Sequence, residues 1–248
     1  MPKLNEVWDF IKQIAPAELA ESWDNVGPLV RCQNQSNSIM VCLDITKEVI
    51  EEAAQKECGI LVSHHPVIFS PLKQMDETMS AWHLVRHNIS AVCAHTNLDA
   101  AIGGVNDVLA GILGLQDIEE FGSGGRIGNL PQASTPKQLA ALCQKTLGSP
   151  VRMADATHPV KRVAVVGGSG ASFIQDALRA KADCLVTGDA DHHDGLDALA
   201  LGLTLIAAGH HATEQPVVPV LAQKLRQHFT QAQVLVATCS TDPFLDRE

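Results

Sequence analysis

Tyrosine is absent from the 248-residue chain, and all aromatics together make up only 4% of it. With 46% hydrophobic and 19% charged residues, the composition is that of a soluble globular protein. No run of 18 or more apolar residues occurs, which excludes a membrane-spanning helix. The N-terminal stretch "MPKLNEVWDFIKQIAPAELAE" lacks the charged-then-apolar layout of a signal peptide, so a cytoplasmic location is expected. Basic residues are scarce: 18 Lys and Arg stand against 28 Asp and Glu, a formal charge of −10. A phosphate backbone is held mainly by Lys and Arg, so nucleic-acid binding is disfavoured. None of the seven cysteines forms a CxxC pair. Several lie inside apolar runs such as "IMVCLDI" and "SAVCAHT", where a reduced thiol packs as a small hydrophobe; neither disulfides nor a cysteine metal site is expected.

What the chain does contain is a repeated pattern. Residues 39–65, "IMVCLDITKEVIEEAAQKECGILVSHH", run from an apolar β-branched segment through an acidic amphipathic stretch to a second apolar segment. Residues 162–189, "RVAVVGGSGASFIQDALRAKADCLVTGD", keep the same order. Each reads as a strand–helix–strand unit, and the near-continuous apolar runs suit parallel strands buried on both faces. "HNISAVCAHTNLD" and "LGLTLIAAGHHATE" are each a strand opening into a His-x-x-x-acid turn, His95 to Asp99 and His210 to Glu214. The copies lie about 115 to 125 residues apart, which argues for internal duplication. The expected architecture is two related, interlinked α/β lobes with largely parallel sheets, over residues 1–124 and 125–248. The join falls near "FGSGGRIGNLPQASTP" (121–136), whose Gly, Ser and Pro read as a linker.

Eleven histidines are present, six of them in adjacent pairs: His64–His65, His192–His193 and His210–His211. They follow buried strands at their C-terminal ends, where open α/β sheets bind ligands. Imidazole nitrogen with carboxylate oxygen suits Zn, Fe, Mn, Ni or Co. His64, His65, His210, Asp99 and Glu214 are too rich a set for one tetrahedral ion, whereas two ions about 3.5–4 Å apart would use them fully. Helix caps and ordinary loop histidines are the alternative reading of the same spacing.

"ESWDNVGPLV", "SHHPVIF", "AHTNLDAAIGGVND", "GRIGNLP", "VAVVGGSG", "VTGDADHHD" and "AAGHHATEQP" occur in this order along nearly the whole chain. Together they resemble the GTP cyclohydrolase I type 2 homologues, the Nif-three-like proteins. The resemblance implies a toroidal homohexamer of two-lobed subunits with two divalent metal ions in each. By motif the metal ligands fall on His64, His65, Asp99, His210 and Glu214. It implies a dinuclear-metal-dependent hydrolase in which metal-activated water attacks a purine nucleotide or a related heterocycle. Two alternatives stay open: a hexameric metal-binding scaffold or regulatory interaction protein without catalysis, and a dimetal phosphatase.

Outside that ligand set, His95 is the candidate catalytic group, able to orient a ligand, contact substrate or act as general acid. His193, His211 and Asp189 are assigned to substrate binding, with support of a ligand or plain surface exposure as the alternatives. "GGSGAS" (167–172) lacks the Lys and Ser/Thr spacing of a nucleotide-binding P-loop and reads as a tight turn, although glycines opening a helix can bind an anion. "WDNVG" (23–27) reads as a structural loop at a lobe or subunit contact.

Overall fold

A computed structural model describes residues 1–244. The chain forms two compact units, the first from Met1–Ala101 with Val217–Pro243, the second mainly from Ile102–Pro216. In the first unit the elements are α1 (Leu4–Ile14), β1 (Gly27–Val30), β2 (Ser38–Cys42), α2 (Lys47–Gln55), β3 (Ile60–Ser63), α3 (Ser80–Arg86), β4 (Ser90–Cys93) and α4 (Thr96–Ala100). The second contains α5 (Val105–Ile112), β5 (Gln116–Phe121), β6 (Gly125–Ser134), α6 (Pro136–Leu147), β7 (Arg152–Ala154), β8 (Val160–Val166), α7 (Ile174–Arg179), β9 (Cys184–Thr187), α8 (His192–Ala200), β10 (Thr204–Ala207) and α9 (His210–Glu214). The chain then returns to the first unit with α10 (Val217–His228) and β11 (Gln233–Val236).

The two sheets repeat one plan. The first has the order β1-β4-β3-β2-β11, with β1 antiparallel to β4 and the other pairs parallel. The second has the order β5-β6-β8-β9-β10-β7, with β8, β9 and β10 parallel and β7 antiparallel to β10. An antiparallel edge strand followed by three strands joined through helices is therefore built twice, from β1–β4 and from β7–β10. The apolar runs have the predicted cause. Along β8, Val163 and Val165 pack against Leu109 and Leu139 of α5 and α6, while Ala164 and Val166 pack against Ile174 and Ala177 of α7. With both faces covered, Val163–Val166 form a continuous apolar run, while Lys161 and Arg162 before them are exposed and half-buried. In the first unit Met40, Leu61 and Ala91 pack against Val49, Ile50 and Leu84 of α2 and α3.

The join expected between residues 124 and 125 falls elsewhere. The stretch 121–136 is a β-hairpin inside the second unit: Gly122 (φ +57°) and Gly124 (φ +100°) turn the chain between β5 and β6. Thr135 then caps α6, accepting from the Gln138 amide, with Pro136 as the first helical residue. The Gly, Ser and Pro content serves a tight turn and a helix start. The crossings between units occur instead at residues 101–102 and 216–217.

Candidate metal centre

The strands that carry the site residues end where their side chains begin. β3 stops at Ser63, and the next two amides continue onto the neighbouring strand: His64 N–H donates to the Cys42 carbonyl (3.3 Å) and His65 N–H to the Leu43 carbonyl (2.9 Å). The Ser63 hydroxyl donates to the His65 carbonyl at 2.7 Å, tightening the exit ahead of Pro66. Backbone bonds on both sides of the pair fix where the two rings start.

His64 is buried, yet its ring is part of a cluster. Its centroid lies 5.0 Å from that of His65 and 5.3 Å from that of His95. One ring nitrogen from each of the three lies within 4.8 Å of the others, a spacing that could hold an ion. Each imidazole is tied at Nδ1. His64 Nδ1 meets the Ala94 carbonyl at 3.0 Å, His65 Nδ1 the Asp44 carboxylate at 2.6 Å, and His95 Nδ1 the Asp24 carboxylate at 2.8 Å. An acceptor at Nδ1 assigns the proton there and leaves Nε2 as the lone-pair donor, the arrangement that orients metal-binding histidines. His64 Nε2 lies 3.5 Å from Asp99 Oδ1.

Asp24 is the anchor of this region. Its side chain is wholly shielded, and it accepts from Thr96 N–H (3.0 Å), the Thr96 hydroxyl (2.5 Å) and His95. Burial acts to raise its pKa, but the Thr96 and His95 bonds outweigh it and hold the carboxyl below the ordinary value. His95 is moved down, first by burial and then by the nearby His64, with Asp24 opposing both.

In the second unit the same construction recurs at the end of β10. Gly209, at φ +91°, turns the chain into α9, which places His210 and Glu214 on one face. His210 Nδ1 meets Asp189 at 2.7 Å, and His210 Nε2 lies 3.2 Å from Glu214 Oε2. The hydrogen bond with Glu214 raises His210 to about 9, burial opposing and Asp189 adding to the rise. Glu214 is buried against the 167–170 loop: a Cβ built on Gly168 would lie 2.1 Å from Glu214 Oε1 and 3.1 Å from His210 Nε2. Gly168 is thus open ground that a carboxylate fills.

The donor chemistry fits a divalent ion. Two donors at about 2.1 Å from one ion stand about 3.0–3.4 Å apart at octahedral or tetrahedral angles. The separations within each unit, 3.5 Å for His64–Asp99 and 3.2 Å for His210–Glu214, are of that size.

The other candidate residues have the following surroundings. Asp189, expected to bind substrate, bonds to His210. His193 is exposed in the first turn of α8, where Asp191 caps the helix by accepting from His193 N–H (2.7 Å) and Asp194 N–H (2.9 Å). His211 is half-buried beside His210. "WDNVG" supplies Asp24, a role its loop character concealed, and "GGSG" supplies the gap beside Glu214. Asp44 was missed, although it follows β2 and the strand-end rule that found the others applies to it equally.

Relatives share this architecture across their length. A "GTP cyclohydrolase 1 type 2 homolog" of Clostridium acetobutylicum is 32% identical, covering 98% of both chains. A "Protein NIF3 homolog" of Schizosaccharomyces pombe is 30% identical, covering 94% of both. A solved structure of a Staphylococcus aureus hypothetical protein superposes with a TM-score of 0.90 at 27% identity, covering 99% of both chains. The family model for Duf34/NIF3, NGG1p interacting factor 3, matches residues 2–243. With that match spanning both units and every strand that carries the histidines and carboxylates described above, the chain belongs to the Duf34/NIF3 family.

Proposed function

We propose that this chain is a dinuclear-metal-dependent hydrolase acting on a purine nucleotide or a related heterocycle. His64, His65, Asp99, His210 and Glu214 are its ligands for two divalent ions. The observation that carries this reading is the buttressing of the histidines: His65 and His210 each have a carboxylate at Nδ1, and His64 has a backbone carbonyl. Such partners set the tautomer and hold the ring against rotation. The name carried by the Clostridium acetobutylicum relative supports the nucleotide as substrate class.

When bound, divalent ions lower the pKa of water toward neutrality and polarise the bond under attack. The remaining work falls to the chain. Asp44 and Asp189 hold His65 and His210 in orientation. His95, with Nδ1 committed to Asp24, carries a proton at Nε2 during the reaction. His211 and His193 belong to substrate contact in this reading. Assembly into a homohexamer and a cytoplasmic location complete it; no helix among the described residues is long and apolar enough to cross a membrane.

Elemental analysis of the purified protein, with chromatography of GTP incubations and light scattering for mass, tests the proposal. About two equivalents of metal per chain, a hydrolysed nucleotide and a hexameric mass are expected, with the metal content falling in Glu214→Gln. Metal-loaded protein that turns over no purine nucleotide, with Glu214→Gln unchanged in metal content, would overturn it. Turnover of simple phosphate esters alone would instead identify a dimetal phosphatase.

A further inference from the structure

Beside the imidazole cluster of the first unit stand two exposed aromatic side chains. Trp23 is 58% and Phe69 54% exposed, in a chain with only nine Phe and Trp. Their ring centroids lie 5.8 Å apart at an interplanar angle of 49°, and Trp23 lies 6.2 Å from the His95 ring. His95 in turn contacts His64 and His65 at 5.3 and 5.6 Å. An unbroken series of rings thus runs from an open surface to the three-histidine cluster.

The pair is held in place by polar groups on either side of it. The residue after Trp23 is Asp24, fixed by its bonds to Thr96 and His95. The residue before Phe69 is Ile68, whose carbonyl accepts from Asn25 Nδ2 at 2.6 Å. Asn25 N–H donates to Asp24 at 2.7 Å, so the loops bearing Trp23 and Phe69 are tied to each other and to His95. Exposed aromatics usually turn their apolar faces into the protein, whereas here a hydrogen-bonded frame keeps them at the surface. Pre-positioned rings of this kind bind planar heterocycles by stacking with little ordering cost.

We propose that Trp23 and Phe69 form a stacking platform for the heteroaromatic ring of the substrate, positioning it beside His95. The choice of a purine ring rests on the hydrolase reading above; the platform itself rests on the aromatic geometry. Trp23 and Phe69 are positioning residues, not catalytic ones.

Calorimetric titration of the protein as isolated, with guanosine monophosphate and with ribose 5-phosphate, tests the platform. Guanosine monophosphate is expected to bind, with ribose 5-phosphate at least about fivefold weaker, since a stacked base contributes that much. Trp23→Leu should weaken guanosine monophosphate about 5- to 100-fold, Phe69→Leu less, and Trp23→Phe should restore most of the loss. Metal content and circular dichroism should stay at wild-type values in all three. In a Trp8→Phe/Trp82→Phe background, guanosine monophosphate should quench the fluorescence of Trp23. Equal binding of the two ligands overturns the proposal. So does unchanged guanosine monophosphate affinity in Trp23→Leu, or metal-loaded wild type that binds none. A changed assembly mass in Trp23→Leu with unaltered affinity would assign the pair to contact with another copy and likewise overturn it. Ring binding by protein that holds no metal would sink the hydrolase reading while leaving the platform standing.

Discussion

Replacing Gly168 by alanine separates the metal-centre reading from a purely architectural one. The new Cβ would lie 2.1 Å from Glu214 Oε1 and 3.1 Å from Glu214 Cδ, well inside contact distance. One of the two must move, and the loop is the more firmly held. The Gly168 carbonyl accepts from Gly188 N–H and Asp189 N–H, both at 2.9 Å, and from the Thr187 hydroxyl at 3.0 Å. Its own N–H donates to the Thr213 hydroxyl at 3.1 Å. Shifting the loop would break four hydrogen bonds, whereas turning the Glu214 side chain gives up its approach to His210. The carboxylate therefore rotates away, and the second unit's pair of donors is lost.

A separate cost comes from the backbone, because Gly168 sits at φ +61°, where a Cβ costs about 1–2 kcal/mol. In a chain of this length that lowers Tm by roughly 2–8 °C. Gly202 isolates this cost: it has φ +74° and nothing within 4 Å of a built Cβ. Gly202→Ala should show a similar Tm loss with metal affinity intact. Gly168→Ala should lose metal affinity by at least about 100-fold, the upper end of what disturbing a ligand's support does. Competition with a fluorescent zinc chelator measures the affinity, and scanning calorimetry the stability. A Gly168→Ala protein that binds metal as tightly as Gly202→Ala would refute the role given to Glu214.

Asp44→Asn and Asp189→Asn should each weaken metal binding about 10- to 100-fold in the same chelator assay, because an amide holds the imidazole less firmly than a carboxylate. Glu52→Gln should lower Tm by roughly 4–12 °C, from a loss of about 2–3 kcal/mol. The Glu52 carboxylate accepts from Thr238 N–H (2.9 Å), the Thr238 hydroxyl (2.8 Å), Cys239 N–H (3.1 Å) and Lys56 (2.5 Å), and an amide at that site sets its NH2 against a backbone donor. Burial pushes Glu52 up, but these bonds hold it well below the ordinary 4.5, so its contribution is full above that pH and fades as pH falls below it. The stability gap between wild type and Glu52→Gln in urea titrations should therefore be full at pH 7 and narrow below about pH 4.5. A gap that stays constant with pH would show that Glu52 acts through packing alone. Adding zinc at about 100 times its Kd should raise stability by about 2.7 kcal/mol, and a chelator should reverse the rise.

The fold was legible in the sequence because its two repeats bury strands on both faces, and double burial leaves a continuous apolar run that needs no tertiary information. Strand ends followed from the same runs, and with them the positions of His64, His95 and His210. The unit boundary was illegible for a comparable reason. A hairpin turn and a linker draw on the same residues, and only the pairing of Gly125–Ser134 with β8 distinguishes them. The return of α10 and β11 to the first sheet was equally hidden, since β11 pairs with β2 across almost 200 residues of chain. At the site, Asp24 and Asp44 carry no spacing relation to the histidines they orient. Their contacts with His95 and His65 span 71 and 21 residues.

The repeated plan also explains why the two halves of the proposed ligand set differ. β4 and β10 occupy the same place in their sheets, and each opens into a five-residue helix, α4 and α9, that carries a carboxylate at its fourth or fifth position. In the second unit the helix itself supplies both donors, His210 and Glu214. In the first, the helix supplies Asp99 while the imidazole partner, His64, comes from the neighbouring strand β3. The β9 end, which corresponds to β3, bears Asp189 in place of a histidine, and that residue now orients His210. One copy thus placed its histidines at two strand ends, and the other turned one of those ends into support for a ligand. Truncation makes the difference measurable: Asp189→Ala removes a support from His210, whereas His64→Ala removes a donor. Metal affinity should fall further in His64→Ala than in Asp189→Ala, and equal losses would mean that the two strand ends do the same work.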